Sequence, residues 1–277
     1  MEQDLTDKSS AGADAEGMKS LRSALRVLME FAGERQDFGV GELAERCKLS
    51  KSQVSKVLAT FAEFGLLSQH VESRRYQAGA RLFVLGSRYV TFDTLSRGAM
   101  PVMRDLVNKT GHSARLSVLD GDRVLYLLGI EGPLFVDTGW RAGTWLPVHS
   151  TSAGRVLLAF IDRERSQRLR VQQPLERISE FTVTEPAEID RLIDQARAQG
   201  YSVQRGETTP GLGVISAPVF GRGPEAIGTL SLAFPSHAVT EEEEARMVVA
   251  LHAAGRTLSQ RVGCTVYPFG YGVAVTA

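Results

Sequence analysis

Cysteine is nearly absent. The chain has two in 277 residues, Cys47 and Cys264, which excludes a disulfide framework and fits a reducing compartment. No apolar run approaches the roughly 18 residues that a membrane span needs. Residues 1–17 are small and polar, without the apolar centre of a secretory signal, so a disordered leader and a cytoplasmic location are expected. Net charge is absent too, because 32 Lys and Arg balance 32 Asp and Glu. The whole chain is therefore no electrostatic glue for nucleic acid or membrane, and any basic surface is local.

Catalytic signatures are missing as well. The five histidines (His70, His112, His149, His237 and His252) show no metal-ligand spacing with Cys, Asp or Glu. His149 stands near Ser150 and Ser152, but no Gly-x-Ser-x-Gly elbow accompanies it, and a structural hydrogen bond is its expected role. Gly211-Leu212-Gly213 leads into a strand rather than opening a helix, so it is no dinucleotide fingerprint, and no phosphate-binding Walker sequence occurs. The expectation is no catalytic residue, no metal and no cofactor. Cys47 has the pattern of a buried small apolar residue.

What is present divides the chain in two. From Met18 to about Glu34, Leu21, Leu25, Leu28 and Ala32 recur at helical intervals, with Ser20 as a candidate N-cap. Gly41 to Cys47 makes two further turns of helix, followed by a short break at Lys48-Leu49. Ser50-Lys51-Ser52-Gln53 is a capping-box pattern, and it opens a helix carrying Val54, Val57, Leu58, Phe61 and Phe64 on one stripe until Gly65 stops it. Two short helices across a tight turn form a helix-turn-helix. Leu66–Gln69 and Arg74–Gln77 flank a polar turn and make a wing-sized hairpin.

A recognition helix enters the major groove with its N-terminal exposed face. Here that face carries Lys51, Ser52, Gln53, Ser55 and Lys56. Gln suits adenine, Lys suits guanine or a phosphate, and Ser suits either kind of group. Arg74 and Arg75 of the wing are placed to reach phosphates or the minor groove. Lys and Arg outnumber Asp and Glu between Met18 and Gln77, the local footprint of a double-stranded DNA reader.

Residues 79–95 continue as a linker helix, and a second helix runs from Ser96 to Thr110. Beyond it, strands and helices come in blocks rather than in strict alternation, which favours an α+β sheet domain over residues 96–262. Residues 115–119 and 124–128 form a hairpin around Asp120-Gly121-Asp122. Residues 144–148, 201–205, 214–220 and 226–234 are further strands, and 151–160, 163–172, 188–199 and 241–262 are helices. Residues 263–277, with Tyr267-Pro268-Phe269-Gly270-Tyr271, have the default expectation of a mobile terminus.

The combination resembles the IclR family of bacterial transcriptional regulators. Ser20 to Leu28 is similar to that family's opening helix, and Glu42-Leu43-Ala44 with Leu49 to Phe61 to its helix-turn-helix. Tyr76 to Gly79 and Leu82 to Gly86 resemble the end of its wing and its linker. Leu146 to Arg155 with Leu157-Leu158-Ala159, and then Glu207, Gly211 and Ile215 to Val219, resemble its effector-domain hallmarks. Arg155 departs from the pattern, standing where the family usually has Lys. The resemblance covers residues 18–262.

It implies a winged helix-turn-helix over residues 18–78 and a GAF-like α/β effector-binding domain for a small metabolite, often an organic acid or an aromatic catabolite. It also implies homodimers through the DNA-binding half and linker, commonly assembling to homotetramers on operator DNA. The pocket residues it implies are Ser152, Ala153, Gln204, Val214, Ser231 and Ala233. These supply few donors for a buried carboxylate, which favours a larger or more apolar, aromatic ligand. Trp140 and Trp145 are candidate walls for it. The competing reading is a small-molecule-binding enzyme or sensor whose N-terminal helices serve protein association.

Overall fold

A computed structural model describes residues 7–33, 35–134, 142–172 and 174–270, with side chains from residue 18 onward except that of residue 172. The chain divides into two compact units after Thr91.

The first unit is built from α1 (Asp7–Met29), a single 3₁₀ turn, β1 (Asp37–Phe38), α2 (Val40–Cys47), α3 (Lys51–Glu63), β2 (Leu67–Gln69), β3 (Tyr76–Ala78) and α4 (Ala80–Phe92). The helix of α1 opens at Asp7, so residues 7–17 are helical rather than part of a disordered leader, and Ser20 lies inside the helix instead of capping it. Ala11, Ala13 and Ala15 are strong helix formers that extend the following amphipathic turns. Lys48, in the left-handed region at φ 54°, makes the tight turn between α2 and α3. Val27, Phe38, Leu43, Cys47, Val54, Leu58 and Leu67 form a small core that locks α1, α2, α3 and the wing together. Strand β1, too short to show in the sequence, pairs with β3 to give a sheet in the order β1-β3-β2.

Not all apolar periodicity here is core. Leu21 and Leu25 of α1 are about half exposed, at 53% and 48%, and Phe83, Leu85, Tyr89 and Phe92 of α4 are exposed too. These side chains stand outside the core of the first unit.

The second unit begins with α5 (Thr94–Thr110), capped by the Asp93 carboxylate and ended by Gly111 at φ 74°. Then come β4 (Ser113–Asp120), β5 (Arg123–Ile130), β6 (Trp145–Pro147), α6 (Ser152–Phe160), α7 (Arg163–Gln172), α8 (Pro186–Gln199), β7 (Ser202–Arg205), β8 (Leu212–Phe220), β9 (Ala226–Pro235) and α9 (Glu241–Arg261). The six strands form one antiparallel sheet in the order β6-β5-β4-β9-β8-β7, as expected for an α+β domain.

Strand residues alternate faces. Ala114, Leu116, Ile215, Ala217, Leu230 and Leu232 pack against α5 and α9. The opposite face lies under α6, which is buried along almost its whole length. At Gly154 a side chain would collide with the Val148 carbonyl, so only glycine lets α6 sit this close to the end of β6.

Residues 263–270 depart from the expectation of a mobile terminus. Tyr267 is buried, and Phe269 packs edge-on to Phe160 at 5.4 Å and stacks on His252 at 5.8 Å. The Arg256 guanidinium donates to the carbonyls of Phe269 and Gly270 at 2.9 Å each. The aromatic run that looked gratuitous in the sequence thus completes the core beside α6. Residues 271–277 lie outside the described residues.

Burial, reinforced by Arg256, pushes the His252 imidazole down to about 4, so it is neutral in the folded protein, while an unfolded chain takes up a proton near the ordinary value of 6.5. The lowered value means stability is fully present above pH 6.5 and is lost as the pH falls toward 4. The expected loss between pH 6.5 and 5 is about 2 kcal/mol. Urea denaturation against pH checks it: His252→Phe should flatten the wild-type curve by about that amount over this interval.

Candidate functional site

The candidate DNA-reading surface is the N-terminal half of α3. Val54 and Leu58 anchor it to the core, leaving Lys51, Ser52, Gln53, Ser55 and Lys56 exposed together on the outer face. The N-cap is complete, since Ser50 Oγ accepts from the Gln53 backbone at 3.2 Å and Gln53 Oε1 accepts from the Ser50 backbone at 3.1 Å. That geometry limits Gln53. Its carbonyl oxygen is held by the cap, so a two-point contact with adenine requires the cap to open, whereas its amide hydrogens can donate without any change.

In the wing, Arg74 is exposed at a left-handed position with φ 57°. Arg75 is diverted inward. Its guanidinium donates to Asp37 Oδ1 at 2.9 Å and to Glu42 Oε2 at 2.8 Å, tying β1 and α2 to the wing. The Gly39 amide, with Arg75 and Arg35, holds the Glu42 carboxyl below the usual carboxylate range. The pairing of Arg75 with two carboxylates thus runs against its expected place on a phosphate. No sequence pattern announces it, because Asp37 and Glu42 come near only through β1.

The second site is a pocket between α6 and the sheet. Ser152, Ala153, Gln204, Val214 and Ser231 line it together, and Arg115, Ser117, Tyr126 and Thr208 join them. Ala233 is buried in a cluster with Leu212 and Val214 rather than in the pocket wall. Trp145 is turned away, its indole N–H donating to Asp120 Oδ2 at 2.7 Å near the β4–β5 turn. Trp140 lies outside the described residues.

The polar lining revises the picture of an apolar pocket. Arg115 is buried, with its guanidinium 5.1 Å from the centre of the Tyr126 ring. Across the sheet Arg115 pairs in register with Ser231, and Ser231 with Ser216. Ser152 Oγ, Ser216 Oγ and Ser231 Oγ form a chain of hydroxyls at 2.7 and 2.8 Å, which stitches the first turn of α6 to β8 and β9. Gln204 accepts from the Glu207 backbone at 2.9 Å and donates to Thr208 Oγ1 at 3.4 Å. The first turn of α6, capped by Thr151, brings Ser152 and Ala153 to the same space. A buried cation, hydroxyl donors and a helix N-terminus suit an anion. The missed signal was alternation: Ser113-Ala114-Arg115-Leu116-Ser117 puts Arg115 on the face opposite the apolar core.

Behind the pocket, Arg155 is fully buried and makes a two-pronged ion pair with Glu207, at 2.8 and 2.5 Å. Glu207 also accepts from the Val183 amide, and its own carbonyl accepts from Thr182 Oγ1 at 2.6 Å. Among the described residues no group of three or more His, Cys, Asp or Glu is placed to hold a metal ion, and no helix is long and apolar enough to cross a membrane.

This architecture has known counterparts. The description "Bacterial transcriptional regulator IclR C-terminal" matches residues 87–260, and "IclR helix-turn-helix domain" matches residues 20–70. The chain belongs to the IclR family. The HTH-type transcriptional regulator KdgR of Escherichia coli K12 is 34% identical, over 90% of this chain and 96% of its own length. Among solved structures of IclR-family regulators, one from Alicyclobacillus acidocaldarius aligns with a TM-score of 0.80 at 28% identity, covering 88% of this chain and 99% of that one. An IclR homologue from Microbacterium hydrocarbonoxydans, solved with 4-hydroxybenzoate, aligns with a TM-score of 0.75 at 25% identity, covering 88% and 98%. This chain is thus an IclR-type transcriptional regulator in architecture, and its curated relatives are named as regulators rather than enzymes.

Breaking the Arg155–Glu207 pair on one side leaves a buried charge without its partner. Arg155→Met is expected to cost about 3–5 kcal/mol in urea denaturation, and Arg155→Met combined with Glu207→Met to recover much of that loss.

Proposed function

We propose that this IclR-family chain is a sequence-specific operator-binding regulator whose affinity for DNA is set by a small carboxylate held in the Arg115 pocket. The observation that carries the reading is the buried guanidinium of Arg115, in the same enclosure as the first turn of α6. The 4-hydroxybenzoate of the Microbacterium homologue is itself a carboxylate, which supports that ligand class. The α3 face supplies the base contacts, with Lys51 and Lys56 as its cations.

A homodimer presents two such helices about 34 Å apart to a pseudo-palindrome. The exposed apolar residues of α1 and α4 are the surface such a dimer would cover. The pocket encloses only about 30 Å³, room for roughly a water or two, so an effector must part its walls. Those walls are the first turn of α6 on one side and Gln204 with Thr208 on the other. Movement there, passed through the linker to the reading heads, shifts operator affinity by the effector's preference between the two arrangements, typically about 5- to 150-fold.

Fluorescence anisotropy with labelled DNA from the protein's own upstream region tests this, against random DNA at two salt concentrations. Binding ten or more times tighter to the upstream DNA is expected, together with a change of affinity on adding one of a panel of short aliphatic and aromatic carboxylates. Arg115→Gln should abolish the response while leaving DNA binding intact. Equal binding to both DNAs would remove the regulator reading. A response to neutral compounds alone would remove the anionic effector.

The salt dependence separates the basic residues. Lys51→Ala and Lys56→Ala should each lower the slope of log affinity against log salt by about one where the lysine meets a phosphate. Arg75→Ala should leave the slope unchanged and instead destabilise the winged helix.

A further inference from the structure

Gln53 belongs to the first turn of α3, the part of a recognition helix that meets base edges. Its side chain is exposed but not loose. The Ser50 backbone donates to Gln53 Oε1 at 3.1 Å, and the Ser50 hydroxyl donates to the same oxygen at 3.0 Å. That hydroxyl in turn accepts from the Gln53 backbone at 3.2 Å. An N–H and an O–H both need an acceptor, so the amide is fixed with its oxygen toward Ser50. An amide oxygen has two lone pairs, and here both are taken. Nε2 has no hydrogen-bond partner among the described residues, so its two hydrogens remain to donate.

The neighbouring side chains share this bias. From Lys51 to Lys56 the two ammonium groups only donate, the hydroxyls of Ser52 and Ser55 turn either way, and no exposed side chain is fixed as an acceptor. In the major groove guanine offers two adjacent acceptors, N7 and O6, whereas adenine sets its N6 donor beside N7. Two hydrogens on one nitrogen suit N7 and O6, as those of a lysine ammonium do. On adenine one of them meets the N6 hydrogens, and the usual two-point contact needs the oxygen that the cap holds.

We propose, resting on the reading of α3 as the operator-contacting helix, that Gln53 reads guanine rather than adenine and that Ser50 sets this choice by occupying the Gln53 oxygen. Ser50 is thus a positioning residue for base recognition and need not touch a base itself. Because the cap holds the side chain before DNA arrives, little rotamer freedom is lost on binding. Presenting the oxygen to adenine instead surrenders both bonds to Ser50.

The test titrates full-length wild type, Gln53→Ala and Ser50→Pro against the labelled upstream DNA with its base pairs replaced one at a time. Gln53→Ala should flatten discrimination at one base pair. At that pair the wild type should favour G·C over A·T by at least about fivefold, the lower end for a two-point base contact. Proline suits the Ser50 φ of −69° and removes both the N–H and the hydroxyl that hold the oxygen. Ser50→Pro should therefore shift the ratio toward A·T. A wild-type preference for A·T at that pair would overturn the proposal, as would discrimination left intact at every pair by Gln53→Ala. So would an unchanged G·C preference in Ser50→Pro that circular dichroism shows to be folded. Should Ser50→Pro not fold, the wild-type and Gln53→Ala titrations still decide. Equal binding of the wild type to upstream and random DNA is a different failure, because it removes the regulator reading itself.

Discussion

Removing a guanidinium entirely from water costs several kcal/mol unless a carboxylate of matching geometry goes with it. Arg155 makes that demand at the middle of the sensor domain, and Glu207 meets it with both oxygens. Much else is arranged around the pair. Glu207 sits between β7 and β8, so satisfying Arg155 pins that connection to α6. Thr182 and Val183 are drawn in by the same carboxylate residue, and Gln204 caps its amide. The opposing walls of the Arg115 pocket, Ser152 on α6 and Gln204 with Thr208 beside β7, therefore have their spacing set by one ion pair. A lysine at position 155 would deliver the charge through a single ammonium and could not match the two-pronged geometry.

The broad outline was legible in the sequence because it rests on periodicity and local punctuation. The cap at Ser50, the stop at Gly65 and the hairpin at Asp120-Gly121-Asp122 are local signals, and the structure has each of them. The misses were non-local or hidden by habit. Alternation places Arg115 opposite the core, but the residues that make a pocket around it come from α6, β7, β8 and β9. Arg75 looked like a phosphate ligand because its carboxylate partners lie far back in the sequence. Tyr267 and Phe269 looked like loose ends because their partners, Phe160, Phe220 and His252, come from distant elements.

Apolar periodicity also misled in one instructive way. The stripe on α1 was correct as helix and only partly correct as core, since Val27 is buried while Leu21 and Leu25 remain open. A single sequence cannot tell a residue that packs within its own chain from one that packs against another, because the hydrophobic effect rewards both equally. The zero net charge belongs to the same argument. With charge balanced overall, a surface for DNA on this chain has to be a local basic patch, such as the exposed α3 face with Arg74 offers.

The central sheet has a consequence for the order in which the molecule assembles. Its middle pair joins β4 to β9, with Ser113 opposite Ala233, so most of the second unit's chain must be gathered before the two central strands can meet. The first unit asks for less, since its most distant strand pairing, β1 with β3, joins Asp37 to Gln77. Local contacts form quickly and distant strand pairings slowly. Contact separation therefore predicts that the first unit matures ahead of the second during refolding, while the β4–β5 hairpin still lacks β9. On that order the helix-turn-helix is complete while the second unit is still open, until the last long-range strand closes the sheet.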